Sequence, residues 1–227
     1  MKTAEVAGQT VYYIGPELSE GPLPAFFYFS LAGDESLQLE PFNTPVTLLA
    51  DAPIRIFSLT LPAHGPGFDK HVAVQHWQEH PDEVEAWLPG AHAVITALID
   101  QGVIDGLAAG GLSRGGFAAT HLAALEPRIK AVVGFAPLID LAHLSLPTLV
   151  DKLVKTHIRF YVGNRDIAVG TDRVFHFIHA LTETAFQTGI RSPHAELYIR
   201  PSIGHRGHGT PPDAFVEGAA WIREQLA

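Results

Sequence analysis

Gly111-Leu112-Ser113-Arg114-Gly115 reads G-x-S-x-G, a spacing that suits a serine nucleophile. The run before it, residues 104–110, is short, apolar and glycine-bounded, and residues 117–125 are Ala-rich and helix-prone. Ser113 therefore stands at the tip of a tight strand-to-helix turn. A serine held in a strained backbone conformation needs neighbours without Cβ atoms, which explains the flanking glycines. The helix N-terminus also directs free backbone N–H groups at any oxyanion that forms on an attacked carbonyl. A hydroxyl is a poor nucleophile at neutral pH, so a base within hydrogen-bond reach must take its proton.

Two later residues supply the base and its orienting carboxylate. The strand predicted at residues 158–162 runs into Gly163-Asn164-Arg165-Asp166, and the strand at 195–199 runs into Ser202-Ile203-Gly204-His205. In an open parallel sheet these loops share one edge, so Ser113, Asp166 and His205 can meet although distant in sequence. His205 would take the serine proton, and Asp166 would fix the imidazole tautomer and stabilise the imidazolium. His208 competes in Gly204-His205-Arg206-Gly207-His208-Gly209; His205 is preferred because it comes sooner after the strand and directly follows a glycine. Asp172 and Asp140 rival Asp166, but Asp172 reads as a helix cap.

The elements that must position these loops alternate between strand-like and helix-like, the pattern of a mostly parallel sheet with helices on both faces. Short strands fall within residues 5–14, then strands at 24–30, 53–60, 130–135, 158–162 and 195–199, besides the one that leads to Ser113. Helices are expected at 43–50, 69–80, 82–101 with a break at Pro89-Gly90, 171–188 and 210–226. Residues 136–156 are too few for a large cap domain, which leaves the cleft open. Pro137, Leu138, Ile139, Leu141 and Leu144 are candidates for an apolar acyl pocket, or equally for the buried side of a surface helix.

The elbow, the strand-turn-helix context and the chain order Ser, Asp, His together resemble the α/β-hydrolase superfamily, and the resemblance covers almost the whole chain. It is most similar to small lidless esterase-like members, grouped with dienelactone hydrolases and the catalytic domains of prolyl-oligopeptidase-type enzymes. The resemblance implies a single α/β-hydrolase domain over residues 1–227 that cleaves small or short-chain carboxylic esters through an acyl-enzyme. The alternatives are peptide or thioester cleavage on the same triad, or a catalytically silent binding protein. His64-Gly65 looks like the H-G signature that follows the third strand in many hydrolases. Counted back from Ser113, however, it follows the fourth, as the turn Pro62-Ala63-His64-Gly65. The second oxyanion donor is therefore assigned to the backbone of Leu31 or Ala32, beside the backbone N–H of Arg114.

Composition narrows the alternatives. The 227 residues are 47% hydrophobic and 17% charged with a net charge of −9, and no basic cluster interleaved with aromatics suggests a nucleic-acid surface. There is no cysteine, which excludes disulfides, thiolate metal sites and cysteine nucleophiles. No signal segment or membrane span is evident, so a cytoplasmic protein acting on a small-molecule ester is expected, its oligomeric state open. His76-Trp77-Gln78-Glu79-His80 matches an inverted zinc-peptidase motif, but Pro81 ends the helix at the second histidine and no third ligand is evident. Phe117 stands where a phosphate-binding loop needs Lys-Ser/Thr. Neither a metal nor a cofactor is expected.

Overall fold

The structure, a computed structural model, describes residues 1–69 and 72–227. Two antiparallel strands, β1 (Lys2–Val6) and β2 (Gln9–Ile14), lead into β3 (Leu23–Phe29), β4 (Arg55–Ser58), β5 (Ile104–Leu112), β6 (Ala131–Phe135), β7 (His157–Gly163) and β8 (Ala195–Arg200). They form one sheet of order β1-β2-β4-β3-β5-β6-β7-β8. The strands β3 to β8 pair with one another in parallel, and β4 meets β2 antiparallel. All six of those strands therefore end on one edge, and the order reverses there between β3 and β5.

The apolar strands read as continuous hydrophobic runs because both faces are covered. Phe26 and Tyr28 of β3 enter the cluster packed under α2 (Thr44–Leu49) and α8 (Pro212–Gln225). Phe27 and Phe29 enter the larger cluster on the opposite face. That cluster lies beneath α3 (Ala73–Glu79), α4 (Pro81–Asp100), α5 (Arg114–Leu125) and α7 (Thr171–Gln187). Phe27 stacks on Phe57 of β4 with ring centroids 5.1 Å apart. Asn43 stands at the N-cap position of α2 without a side-chain capping bond, and Pro45 lies in its first turn.

Some expectations need correction. A short helix, α1 (Gly33–Gln38), occupies what read as a plain loop. The helix expected at 69–80 begins at Ala73, and Lys70 and His71 lie outside the described residues. Trp77 is a core residue whose indole N–H donates to Pro62 O at 2.8 Å. Helix α4 runs unbroken through Pro89. Val84, Leu88, Ala91, Val94, Ile95 and Leu98 bury one stripe on both sides of the proline, and that packing outweighs the hydrogen bond it cannot donate. Residues 136–156 hold only two 3-10 turns, at Ala142–Leu144 and Leu146–Leu149, and the single turn α6 (Val150–Leu153). Among the described residues no helix is long and apolar enough to cross a membrane.

His121 in α5 is buried, and its Nε2 meets the Leu144 carbonyl at 2.7 Å, the distance of a donated ring N–H. Burial pulls its pKa down to about 4; the Leu144 contact opposes this and the Lys152 charge adds to it. The unfolded chain takes up this proton near pH 6.5, before the native state does. The stability that His121 supports is therefore complete above about pH 6.5 and is lost as pH falls towards the folded-state value. The loss is about 3 kcal/mol for a shift of this size. Urea titrations at pH 7 and pH 4.5 should show the larger part of that loss, about 2 kcal/mol, and His121→Gln should shrink it while keeping a donor for Leu144.

Candidate active site

Ser113 follows β5 at the point where the strand order reverses. Its backbone is held at φ 54°, ψ −112°, a conformation that costs a non-glycine residue of order 1–3 kcal/mol. Three backbone bonds hold it there: Ser113 N–H donates to Phe135 O at 2.8 Å, and Ser113 O accepts from Phe117 at 3.2 Å and Leu138 at 3.1 Å. The glycines around it are required by close approach. A Cβ on Gly115 would lie 1.7 Å from Phe29 O, and one on Gly111 would lie 2.3 Å from both Phe29 O and the Gly115 carbonyl carbon. The first turn of α5 thus rests directly on the end of β3.

Asp166 follows β7, and its side chain is completely buried. Its Oδ1 accepts the backbone N–H groups of Ala168 at 2.9 Å and Val169 at 3.0 Å, leaving Oδ2 for a histidine. That histidine is His208: its Nδ1 lies 2.8 Å from Asp166 Oδ2 and its Nε2 lies 3.0 Å from Ser113 Oγ. Burial pushes the Asp166 carboxyl up, but the bonds from His208, Val169 and Ala168 outweigh it and hold the group below its ordinary value. An ionised Asp166 can only accept, so the ring carries its proton on Nδ1 and presents a lone pair to Ser113.

His205 is not in this series. It lies exposed on the 3-10 turn His205–Gly207. Gly204 at φ 75° and Gly207 at φ 71° bracket that turn, and the chain re-enters the site only at His208. Residues 205–207 are spent on the turn, so nearness to the strand end does not bring His205 to Ser113. The legible signal was the glycine on each side of His208, where the backbone must come close to another loop. Of the rival carboxylates, Asp140 lies 3.5 Å from Arg173 and Asp172 lies in the first turn of α7, whose N-cap is Gly170.

The β7 and β8 loops are fastened together. Arg165 N–H donates to Ser202 Oγ at 2.6 Å, Ser202 N–H to Asn164 Oδ1 at 3.1 Å, and Ile167 N–H to Arg206 O at 3.1 Å. Asp166 N–H donates to Thr171 Oγ1, which in turn donates to Gly163 O at 2.6 Å. The carboxylate and the imidazole thus sit on loops that are hydrogen-bonded to each other.

The expected oxyanion donors are only partly available. Arg114 N–H opens α5 and has no acceptor within the helix. Leu31 also lines the cleft, but its N–H already donates to Ser36 Oγ at 3.0 Å, as does Ser30 N–H at 3.0 Å. Ser36, on the unforeseen helix α1, was invisible to the sequence reading. Ala32 faces the neighbouring depression around His64 rather than the cleft.

The cleft beside Ser113 has a volume of about 430 Å³. Its apolar wall comes from Leu31, Pro41, Phe42, Val74, Ile203 and Phe215. Leu138, Ile139, Leu141 and Leu144, which the sequence offered as an acyl pocket, are buried in the core instead, with Pro137 packed close to Gly116. Among the described residues no group of three His, Asp or Glu could hold a metal ion. His76 Nε2 lies 2.9 Å from Glu83, and Glu79, the acid of the zinc-like motif, accepts from Gln75.

No family model matches the chain, and no curated protein matches its sequence. Solved structures do match, over nearly the full length of both chains. TT1662 from Thermus thermophilus is 17% identical with a TM-score of 0.74, covering 100% of this chain and 99% of its own. A cold-adapted esterase from an Arctic intertidal metagenomic library is 17% identical with a TM-score of 0.70, covering 100% and 93%. Est1E from Butyrivibrio proteoclasticus, bound to ferulic acid, is 15% identical with a TM-score of 0.67, covering 100% and 99%. The chain has the α/β-hydrolase fold. Within that α/β-hydrolase sheet, Ser113, Asp166 and His208 follow β5, β7 and β8.

Gly115→Ala should destabilise the protein by more than about 3 kcal/mol, since the atom it meets is backbone and cannot move aside. Gly65→Ala, whose Cβ would meet nothing nearer than Thr60 at 3.9 Å, is the control and should stay within about 0.5 kcal/mol of the parent. Urea unfolding followed by far-UV circular dichroism measures both.

Proposed function

We propose that the protein is a serine hydrolase of carboxylic esters, with Ser113 as nucleophile, His208 as general base and acid, and Asp166 as the group that orients and stabilises the imidazolium. The observation that carries this reading is the unbroken series from Ser113 Oγ to His208 Nε2 and from His208 Nδ1 to Asp166 Oδ2. Ser113 Oγ attacks the acyl carbon while its proton passes to His208 Nε2. The resulting oxyanion lies over the Arg114 N–H, with the Leu31 N–H as a donor shared with Ser36. The bond from acyl carbon to alkoxy oxygen then breaks, and His208 returns the proton to the departing alcohol. A water molecule gives a proton to His208 and attacks the acyl carbon; the bond from acyl carbon to Ser113 Oγ then breaks, and His208 returns the proton to Oγ as the acid leaves.

The apolar walls and moderate volume of the cleft suit small or short-chain esters. Esterases among the structures that share the fold support ester hydrolysis. Turnover of matched ester, thioester and amide substrates separates this reading from its relatives on the same machinery.

A fluorophosphonate probe should label the wild-type protein and fail on Ser113→Ala. Hydrolysis of 4-nitrophenyl acetate and butyrate should fall by at least about 10³-fold in both Ser113→Ala and His208→Ala, the scale expected when a triad member is lost. His205→Ala should stay within about twofold of wild type, because an exposed side chain outside the relay touches no reacting atom. Absence of labelling and turnover in the wild-type protein would sink the reading.

The pH profile follows from the same bonds. With Asp166 held below the ordinary carboxylate range, it stays ionised as acid is added and brings no second ionisation to the acid side of kcat/KM. A measured acid limb of slope two would contradict this.

A further inference from the structure

Two arginines of this chain are buried, and their surroundings differ. Arg55 is fully buried in β4, and its guanidinium donates to the carbonyl oxygens of Pro16, Glu17, Gly21 and Val103. Every part of that charge is accounted for by fixed acceptors, as a structural buried cation requires. Arg114 is 9% exposed, yet its guanidinium makes no hydrogen bond or ion pair with any described residue, and its Nε is sealed from solvent without a partner. Desolvation, with no nearby carboxylate to oppose it, pulls its pKa down to about 10.

Arg114 also lines the cleft next to Ser113 and His208, and no Asp or Glu lines that cleft among the described residues. We propose that Arg114 is a substrate-binding residue that receives a free carboxylate carried by the ester, so that the preferred substrates are half-esters of dicarboxylic acids. This rests on the ester-hydrolase reading and narrows it. The guanidinium offers donors in a planar fork that matches a carboxylate, and the apolar walls formed by Leu31, Phe42 and Phe215 would strengthen that pairing by excluding water. The substrate's carboxylate then supplies the acceptors that the fold withholds.

The test measures kcat/KM by pH-stat for the monoethyl esters of succinate, glutarate and adipate against ethyl valerate, alkyl esters being stable enough for slow assays. The wild-type protein should favour at least one half-ester over the neutral ester by about tenfold or more, the scale of one charge-assisted hydrogen bond. Arg114→Gln should abolish that preference, and Arg114→Lys should keep part of it, since an ammonium retains the charge without the fork. Turnover of 4-nitrophenyl acetate and fluorophosphonate labelling are run in parallel and report on the catalytic relay with a substrate that carries no carboxylate. If the acetate is cleaved but ethyl valerate is preferred to all three half-esters, or if Arg114→Gln leaves the ratio unchanged, the carboxylate proposal falls and the esterase reading stands. If neither label nor acetate turnover is seen, both fall. Arg114→Leu gives a second readout without substrate: its urea midpoint should rise, because a buried cation without partners is removed, whereas a drop would mark Arg114 as structural and overturn the assignment.

Discussion

The contact between the first turn of α5 and the last carbonyl of β3 sets the geometry of everything around it. With 1.7 Å between Phe29 O and the place a Gly115 Cβ would occupy, helix and strand are as close as two backbones allow. That closeness forces the chain to turn within one residue, and the turn is Ser113 at φ 54°. The same contact fixes the side chain at the crevice where the strand order reverses, and it aims the free N–H of Arg114 beside the hydroxyl. Strain at Ser113 persists because Phe135, Phe117 and Leu138 bind its backbone on both sides.

The second constraint is electrostatic. A carboxylate with no solvent contact is tolerable only when its lone pairs are occupied, and Asp166 fills one oxygen with two backbone donors before it meets His208. This makes the imidazole orientation a property of the loop rather than of the histidine alone. Because Arg165 and Asn164 bind Ser202, and Ile167 binds Arg206, the two loops are fastened to each other, and His208 is held at 3.0 Å from Ser113 Oγ by the loops themselves.

The elements with long apolar runs, and the serine and aspartate loops at strand ends, were legible because burial on both sheet faces leaves a strong pattern. What escaped was local and three-dimensional. His205 and His208 differ by three residues in a glycine-rich loop, and only the turn bracketed by Gly204 and Gly207 decides which one faces inward. Ser36 lies six residues beyond the strand-end serine it binds, on a helix of six residues too short to leave a period. Pro89 misled for the opposite reason: local chemistry favoured a break, and twenty residues of packed helix overrode it. The acyl-pocket residues were correctly apolar but were claimed by the core, since apolarity alone does not distinguish a cleft wall from the interior.

The two buried arginines show how the same residue can be placed for stability or against it. Arg55 ties four separate carbonyls from the segments around β2, β3 and β5, so its removal would leave buried acceptors without donors. Arg114 has no such role, and the fold bears its desolvation without return from any described residue. Natural domains carry a margin of only about 5–15 kcal/mol, so an uncompensated buried charge beside Ser113 is a substantial fraction of what holds the chain together. The position of this charge one residue after Ser113 means that the elbow sets the serine hydroxyl and Arg114 on the wall of the same cleft.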